Sequence, residues 1–380
     1  AKRGHFVEQS GANTRQPVTQ WSMKGRVNPG AGRLQVDEAV LAVAGGSVVM
    51  NGVLETTGST HISYEGRVGP GPIGALPYLW PNALAPDARQ WVRANVLGGK
   101  LTGGQFGAAW KEENASGYSR AAARAEDPSN ISDFKQSVVL HGADLQFLSP
   151  VGKVPIFVPK TLLRLSGSTL EVSMPTGAME IGKTRVLGLK QVQFEVPDVT
   201  DPRATGELTF KLSGRLRDGV SLLKVSPIGG KLPAGALDGI LQRADGKLDG
   251  GIAVSIPLYE ASNSEPIITG KLRASELRIK NVAAGHDIGG GAVAFDVGGQ
   301  SINATGEVLV DGVATKVMWQ HIKDAAPERQ PPLRLAATLD EADRRKLRIN
   351  INHIVRGLMD VEIGLSPKAK GGFDTRVRVD

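Results

Sequence analysis

Residues 86–104 read PDARQWVRANVLGGKLTGG, and residues 233–251 read PAGALDGILQRADGKLDGG. The two stretches align without a gap from the first proline to the closing GKL-x-GG, so the chain contains an internal repeat. Proline suits the first turn of a helix, where its missing N–H costs nothing, and glycine commonly ends a helix. Each stretch therefore predicts a short helix, a glycine stop and the start of a strand.

A looser third copy of this unit begins at Thr338. Thr338 and Glu341 have the spacing of a capping box, and three basic residues follow where the helix would end. An alternating segment, residues 358–365, comes next and predicts a strand. The three copies together predict helices near residues 86–97, 234–244 and 339–347.

Most of the remaining sequence alternates between apolar and polar residues. The pattern is clearest in residues 191–196 and 208–217, and it returns in residues 252–258 and 302–319. A period of two is typical of a β-strand with one dry face and one wet face. Continuous apolar runs, which are typical of parallel sheets covered on both faces, are few. We therefore expect a mainly β protein with an antiparallel sheet and at least twice as much strand as helix.

Glycine and proline mark the turns and connectors. Asn51–Gly52 and Asp311–Gly312 lie between apolar segments and predict two-residue type I′ hairpin turns. Residues 69–81 are rich in proline and glycine and predict a rigid connector, whereas the polar residues 114–137 predict a long loop. The 48 glycines and the aromatic content of 5% fit a sheet with many turns better than one large globular core.

The chain is weakly basic, with 45 Lys and Arg residues against 38 Asp and Glu residues and a net charge of +7. This balance mildly favours acidic partners. The basic residues are diluted by acids and are not interleaved with exposed aromatic residues, so we expect no nucleic-acid binding. The chain has no cysteine, which excludes disulfides and thiolate chemistry. No apolar stretch approaches the roughly 20 residues of a membrane-spanning helix.

The motifs of catalysis and of metal binding give no strong candidate. Residues 69–74, GPGPIG, match the glycine spacing of a dinucleotide-binding loop, but the prolines oppose the helix that such a loop must open. The six histidines lack partners at metal-ligand spacing, and the nearest polar pair is His286–Asp287 in a glycine-rich turn. We therefore expect a non-enzymatic protein with no catalytic residue, no cofactor and no metal.

Aromatic and basic residues around the first repeat have two interpretations each. Trp80, Trp91 and Trp110 are suited to base stacking or to a membrane interface, but tryptophans at helical or strand spacing more often belong to a core. Arg89 and Arg93 are suited to phosphate contacts, but a solvated helix face is the favoured interpretation.

Leu76–Phe106 reads LPYLWPNALAPDARQWVRANVLGGKLTGGQF, with a Trp-Pro pair and a short Arg-x-Trp-Val helix before glycine. In this stretch the chain resembles the AsmA-like superfamily of bacterial envelope proteins, nearest its YhdP branch. Gly306–Trp319, a strand–turn–strand unit ending in Trp, and Leu335–Leu365, a short helix with strands, are similar to units of the same family. The resemblance spans most of residues 18–380 and departs from the family pattern at Arg348, where a Leu-Gly pair is expected.

The resemblance implies an elongated antiparallel β-sheet rolled into an open half-pipe groove, punctuated by short helices. Members of the family are anchored at the inner membrane, extend through the periplasm and are associated with phospholipid movement toward the outer membrane. The resemblance therefore implies that this chain is a periplasmic segment of a membrane-anchored protein whose anchor lies outside the chain. Phospholipid acyl chains are the implied partners, with membrane surfaces or envelope proteins as further ones. The candidate groove-lining residues are Leu163, Leu165, Val192, Phe194, Val196, Leu208, Phe210, Leu212, Ile252, Val254, Ile256, Ile302, Val308, Val310, Val313 and Val317.

We expect four units along the chain: N-terminal strands in residues 1–75, two helix-plus-strands units in 76–230 and 231–330, and a third, truncated unit in 331–380. The alternation alone fits a closed sandwich equally well. Two functions stay open beside lipid transport: a scaffolding β module of the envelope with closed sandwiches, and a polysaccharide-active enzyme on a β-scaffold. An open apolar face would argue against the first, and a cluster of carboxylates on a polar face would mark the second.

Overall fold

A computed structural model of the protein describes residues 5–6, 16–57, 60–80, 86–112, 135–149, 154–181, 184–201, 203–225, 243–258, 265–283, 285–351, 353–368 and 373–380. The protein is mainly β, with 70% strand and 12% helix, and 19 of its 20 described strands form one antiparallel sheet that is not closed. The first strand has only two residues and pairs with the edge of that sheet. The predicted fold class and the excess of strand over helix are therefore confirmed.

The strands follow one another along the chain with few interruptions. The first ten are β1 (His5–Phe6), β2 (Gln16–Asn28), β3 (Arg33–Val43), β4 (Gly46–Glu55), β5 (Thr60–Val68), β6 (Gly71–Pro72), β7 (Val96–Glu112), β8 (Lys135–Leu148), β9 (Pro155–Ser166) and β10 (Thr169–Ile181). The next ten are β11 (Thr184–Val196), β12 (Thr205–Arg215), β13 (Asp245–Pro257), β14 (Ile267–Ala283), β15 (His286–Val297), β16 (Ser301–Val310), β17 (Val313–Ile322), β18 (Leu333–Leu339), β19 (Met359–Pro367) and β20 (Phe373–Val379).

Each strand pairs antiparallel with the strand before it and the strand after it. Among the described strands, the single departure from this pairing order is at β6, a two-residue strand that pairs with β7 beyond the end of β5, while β5 itself pairs with β7. No described pairing joins β20 to β1 or β2, so the two ends of the sheet stay apart. The described strands thus form a long meander in which every strand pairing is local in sequence.

Four short helices are described: α1 (Leu76–Leu79), α2 (Pro86–Asn95), α3 (Leu216–Val225) and α4 (Glu341–Lys346). Connections of an antiparallel meander alternate between its two long edges. The four helices lie in the β5–β7, β12–β13 and β18–β19 connections. Six strands separate each of these connections from the next, and an even number of strands returns the chain to the same edge. All four helices therefore lie at one long edge of the sheet. We call it the helix edge and call the opposite one the turn edge.

The internal repeat is visible in the backbone. Gly99 and Gly103 of the first copy have φ angles of 130° and 145°, and the equivalent Gly246 and Gly250 of the second copy have 150° and 155°. Residues with a Cβ rarely adopt these angles, so the GKL-x-GG motif is needed for the same irregular strand start in β7 and β13. Each copy opens a group of six strands, β7–β12 and β13–β18.

The predicted helices are only partly the ones observed. Helix α2 confirms the prediction for residues 86–97, and α4 confirms the one for 339–347, although Asp340, and not Thr338, caps α4 by accepting a hydrogen bond from the Asp343 N–H. The predicted helix at 234–244 lies outside the described residues except for residues 243 and 244, which directly precede β13. The predicted strand 208–217 ends at Arg215, because Leu216 and Val220 lie four residues apart and bury the apolar side of α3.

The connector and the two hairpin turns had mixed outcomes. The predicted connector, residues 69–81, contains the helical turn α1. Pro77 does not prevent this helix, because it lies in the first turn, where proline is tolerated. Asp311–Gly312 forms the predicted turn, with φ angles of 47° and 80°. Asn51–Gly52 does not turn, because β4 runs straight through it, and Gly52 is needed there since a Cβ would press against Tyr64. The predicted loop at 114–137 lies outside the described residues except where β8 begins.

Apolar residues form unbroken rows across the sheet. Residues directly opposite each other in an antiparallel pair share a face. One row crosses β2 to β14 through Trp21, Leu41, Val48, Val68, Gly104, Leu140, Leu163, Val172, Phe194, Leu208, Val254 and Ile268. Another crosses β7 to β20 through Val96, Phe147, Ile156, Met179, Leu187, Gly214, Leu248, Ala274, Val293, Gly306, Val317, Leu335, Ile363 and Val377. Neither row contains a polar residue, and we call this side of the sheet the inner face.

The opposite side, the outer face, is polar and exposed. Gln193 lies opposite Thr209, Glu195 lies opposite Glu207, and Lys211 follows on the same face. The predicted division of β11 and β12 into an apolar face and a polar face is therefore confirmed. A sheet built this way must hide one face from water and can leave the other solvated.

The sheet bends around its inner face. No second sheet covers that face in the described part of the chain, yet Val196, Val254 and Val308 are only 1%, 2% and 2% exposed. Such burial requires side chains of neighbouring strands to cover one another, and the inner residues of β9 to β16 form one packed cluster. The described residues thus form an open, curved sheet rather than the closed sandwich that the alternation also allowed.

Glycines on the inner face permit this bending. A Cβ at Gly306 would overlap the carbonyl oxygen of Ala292, and a Cβ at Gly270 would overlap that of Gly251, because the adjacent strand comes very close on the concave side. Glycine at such positions is typical of bent sheets. The high glycine content therefore serves curvature as well as turns.

We expect Gly306→Ala to lower the free energy of unfolding by about 2 kcal/mol, because the added methyl group forces β15 and β16 apart. Gly251→Ala is the matched control, since a Cβ at this outer-face glycine meets no atom within 4 Å. The control should stay within about 0.5 kcal/mol of the parent protein. Chemical denaturation followed by circular dichroism measures both values, and equal effects would contradict the proposed role of the inner glycines.

Candidate functional site

The inner face is the candidate site, and all sixteen predicted lining residues lie on it. The register links them strand by strand, from Leu163 and Leu165 in β9 to Val313 and Val317 in β17. Six of them are buried, namely Val192, Val196, Leu212, Val254, Val308 and Val313. The remaining ten are half-buried: Leu163, Leu165, Phe194, Leu208, Phe210, Ile252, Ile256, Ile302, Val310 and Val317. Half-buried apolar residues in the middle of a sheet leave surface that an apolar ligand can cover.

Packed elements close the inner face along the helix edge. Near β4 and β7, Ile73, Ala75 and Leu76 pack over the strand ends and are almost fully buried. Near β12 and β13, Leu216 and Val220 of α3 join the main cluster. Near β17 to β19, the residues that follow α4 pack on the buried side chains of Val313, Leu339 and Met359. Three separate caps therefore shield the apolar strand ends at this edge.

The turn edge has few such caps. Leu54, Ile62 and Leu165 lie on the inner face near this edge and are half-buried, and Leu258 is 39% exposed. The described connections at this edge are mostly short turns, such as Gly167–Ser168. In the part of the chain that the structure describes, the inner face is therefore capped along one long side and less covered along the other.

An aromatic cluster lies on the inner face of β5 and β7. The ring of Tyr64 meets those of Phe106 and Trp110 edge-on, with centroid distances of 6.1 and 6.2 Å. Burial raises the pKa of the Tyr64 phenol above its ordinary value. The hydroxyl therefore stays neutral at physiological pH and leaves this part of the face uncharged.

Two arginines at equivalent helix positions are buried, which the sequence analysis missed. Arg89 and Arg344 are each the fourth residue of their helices, α2 and α4, and are 9% and 0% exposed. The solvated position predicted for Arg89 is wrong, since its Nε donates to the Pro77 carbonyl at 2.7 Å. The core position predicted for Trp91 is also wrong, because this side chain is 44% exposed. One feature of the sequence could have indicated these buried arginines: in both helices, the arginine directly follows an Asp and an Ala of the first turn.

Arg344 fastens the chain after α4 to the end of β18. Its Nη1 donates to the carbonyls of Leu339 at 3.1 Å and Gly357 at 2.8 Å, and its Nη2 donates to that of Val355 at 3.1 Å. A guanidinium presents several N–H groups in fixed directions, so one side chain satisfies carbonyls of two separate segments. Residues 353–357 are thereby held against the helix edge.

The polar pair expected at His286–Asp287 has a different partner. The Nδ1 atom of His286 lies 2.8 Å from Oδ2 of Asp311, and the Asp287 N–H donates to Oδ1 of Asp311 at 2.8 Å. These contacts, first the Asp287 N–H and then His286, lower the pKa of Asp311 below its ordinary value. The cluster joins the β14–β15 and β16–β17 turns at the helix edge.

The remaining candidate motifs hold no reactive arrangement. GPGPIG forms β6 and the turn before α1, and Ile73 within it packs into the core. Among the described residues, no three His, Asp or Glu side chains are placed to hold a metal ion. No described helix is long and apolar enough to cross a membrane.

Comparison with known proteins gives no family assignment. The chain has no significant match among protein-family models, curated proteins or solved structures.

We expect Arg344→Met to weaken the segment that follows α4 by about 3 kcal/mol, because the buried guanidinium no longer donates to three backbone carbonyls. Arg345→Met is the control, since Arg345 is adjacent but exposed, and it should have an effect within about 0.5 kcal/mol. Hydrogen exchange of the amides in residues 353–360 measures the free energy of local opening. Unchanged exchange in the Arg344 variant would contradict the fastening role.

We expect Asp311→Asn to destabilise the protein at pH 7 and to have a progressively smaller effect as the pH falls below about 4. The pKa of Asp311 is lower in the folded state, so its carboxylate stabilises the fold above the unfolded pKa of about 3.9. This contribution is lost as the pH falls through the lower folded pKa. Melting temperatures of both proteins between pH 2 and pH 7 measure the difference. Asp296→Asn, at an exposed outer-face position, is the control and should leave the profile unchanged.

Proposed function

We propose that this protein is a non-enzymatic segment that shields phospholipid acyl chains on its inner face during transfer between membranes. One observation carries the proposal: two rows of apolar residues and glycine cross the open sheet without a polar interruption. An apolar surface of this extent is rare on a protein that binds nothing to it. A scaffold needs no such continuous, accessible face.

The energetics favour an apolar channel over a charged surface. Moving an acyl chain from a membrane into water costs about 0.8 kcal/mol per CH₂ group, or roughly 12 kcal/mol for a 16-carbon tail. Charged residues cannot offset a cost of this kind, because it arises from the hydrocarbon and not from the head group. The half-buried inner residues, such as Phe210 and Ile252, offer the hydrocarbon an apolar contact along the whole sheet.

The dimensions and the open edge fit lipid passage. Nineteen strands about 4.8 Å apart give a path of roughly 85 Å, several times the length of one acyl chain, which is about 15 Å in half a bilayer. Because the helix edge is capped, we propose that acyl chains enter from the turn edge. Head groups then project past that edge and stay in water.

The cellular setting is proposed from the resemblance to AsmA-like envelope proteins. In this proposal the sheet lies in the periplasm as part of an inner-membrane-anchored protein and carries phospholipids between inner and outer membranes. The short motifs at Leu76–Phe106 and Gly306–Trp319 support it. The open, curved sheet is the architecture that this resemblance implies.

We expect a photo-crosslinking residue at Phe210 or Phe295 to capture phospholipid. Both are half-buried aromatic residues of the inner face, so a benzophenone side chain fits with little disturbance. Probes at Lys211 of β12 and Lys271 of β14, both on the outer face, are the controls. The full chain is mixed with phosphatidylethanolamine–phosphatidylglycerol vesicles and irradiated, and adducts are identified by mass spectrometry. Equal capture from both faces would indicate a surface that merely adheres to lipid.

A second assay, lipid transfer between vesicles, tests whether one charge on the inner face blocks the passage of lipid in a folded protein. Phe210→Asp should reduce lipid transfer between vesicles at least tenfold, because a carboxylate interrupts the apolar path. Thr209→Asp places the same charge on the adjacent outer-face residue and should transfer lipid normally. Transfer at the parent rate by a folded Phe210→Asp protein would contradict the proposed path.

A further inference from the structure

The sheet ends on both sides in a strand that pairs with only one long neighbour. β2 pairs along its length with β3, and only Gln16 and Pro17 also pair with β1. β20 pairs with β19 alone among the described strands. The second side of residues 18–28 and of β20 is therefore without a described partner strand. The backbone N–H and C=O groups along such an edge are able to pair with a further strand.

Both of these terminal strands expose apolar side chains. Trp21 and Val27 of β2 are 68% and 70% exposed, and Val377 and Val379 of β20 are 61% and 55% exposed. Trp21 begins one apolar row of the inner face, and Val377 ends the other. Interior residues of the same rows, such as Val254, are buried by the strands on either side. A neighbouring strand is therefore what the exposed residues lack.

The two terminal strands fit each other in direction. β2 runs from the helix edge to the turn edge, and β20 runs from the turn edge to the helix edge. When a second copy is placed beside the first with the same face inward, β20 of the first copy and β2 of the second are antiparallel. Every other neighbouring pair in the sheet has this arrangement. A second copy therefore extends the sheet without reversing its faces or its edges.

The spacing of the helix-bearing connections fits the same arrangement. Six strands separate the β5–β7 connection from the β12–β13 connection, and six more separate that one from the β18–β19 connection. Two strands, β19 and β20, follow the last of these connections, and four long strands, β2–β5, precede the first. Joined across two copies, they form another group of six. The period of the caps at the helix edge then continues from one copy into the next.

One register joins the two apolar rows and also matches charges. With Val377 opposite Trp21, the row that ends in β20 continues into the row that begins in β2. The same register places Asp374 opposite Lys24 on the outer face. Within one copy Asp374 pairs with Lys368 at 2.7 Å and Lys24 lies 3.7 Å from Glu38, but all these side chains are about half exposed or more. Such surface pairs are weak, so both charges remain able to attract each other across the junction.

The neighbouring registers are less favourable. A shift by two residues in one direction places Arg376 opposite Lys24, and like charges directly opposite each other destabilise a strand pair. A shift by two in the other direction brings Asp380 to Gln16, which already pairs with β1. A shift by one residue would turn apolar side chains to the polar face. The chosen register avoids all three conflicts.

We propose that copies of this chain join head to tail, with β20 of one copy pairing antiparallel with β2 of the next. The two halves of this interface are different surfaces of the same chain, so each added copy leaves one of each available and the assembly stays open. The inner face then runs without interruption across the junction. The proposal requires no lipid, so it stands independently of the proposed function.

The first test uses two variants that each block one half of the interface. The parent chain should form a series of species that grows with concentration in sedimentation velocity. Trp21→Lys and Val377→Lys place a charge at the junction, and each should sediment as a monomer when alone. Their equimolar mixture should form a dimer and nothing larger, because only one intact pair of edges remains. Ile267→Lys, at a residue of β14 that is 56% exposed, is the control and should assemble as the parent does.

The second test examines the register and uses the absence of cysteine from the chain. The double variant Trp21→Cys, Val377→Cys should give a ladder of covalent oligomers on mild oxidation. Val27→Cys, Val377→Cys is the matched control, since Val27 is as exposed as Trp21 but lies six residues further along β2. That offset is roughly 20 Å, so the control should stay monomeric under reducing-free denaturing electrophoresis.

Three results would overturn the proposal. The first is a folded parent protein that remains monomeric at every concentration. The second is a Trp21→Lys or Val377→Lys protein that still associates alone, which would indicate pairing between identical edges or contact elsewhere. The third is equal cross-linking of the two double-cysteine variants, which would indicate adhesion without a defined register.

Discussion

A single sheet with one apolar face can remove that face from water only by bending around it. In this protein the bending is made possible by the backbone of the inner face, where glycines such as Gly270 and Gly306 let adjacent strands approach more closely than a Cβ would allow. The result is burial without a second layer, as at Val254 and Val308. Every other feature of the fold depends on this geometry, because a flat sheet would expose the same rows completely.

The two long edges of the bent sheet differ in how their apolar strand ends are covered. At the helix edge, apolar strand ends meet caps built from local sequence, and Arg89 and Arg344 fasten two of them by donating to backbone carbonyls. Arginine suits this position because its length and its several N–H groups reach carbonyls that strand pairing leaves unsatisfied. The turn edge needs no comparable fastening, because a hairpin satisfies its own backbone groups.

The sequence predicts the features that depend on local periodicity. Alternation with a period of two identified the inner-face residues of β9 to β17 correctly, since a strand converts that period directly into two faces. Inner residues of β7, such as Leu101, were missed because glycines interrupt the alternation there. The alternation could not distinguish a closed sandwich from an open sheet, because both architectures give the same pattern.

The errors share one physical cause. Asn51–Gly52 has the local chemistry of a turn, but Tyr64 on the adjacent strand requires the glycine for packing. Arg89 looks like a solvated helix residue, but the Pro77 carbonyl, twelve residues earlier, draws it inward. Both depend on a partner that is distant in sequence, and no window of residues contains that information. The errors therefore fall where one segment of the fold meets another.

The proposed lipid path has a property that a binding pocket lacks. In a pocket, a few polar groups fix one ligand orientation, and leaving costs the sum of those contacts. Along the rows of the inner face each step from strand to strand exchanges one apolar contact for another, so the free energy of a bound acyl chain changes little with position. A surface with this flat profile holds hydrocarbon out of water and opposes its movement only weakly. Uninterrupted apolar rows therefore suit passage better than storage, and a single polar group within them would create the barrier that the observed rows avoid.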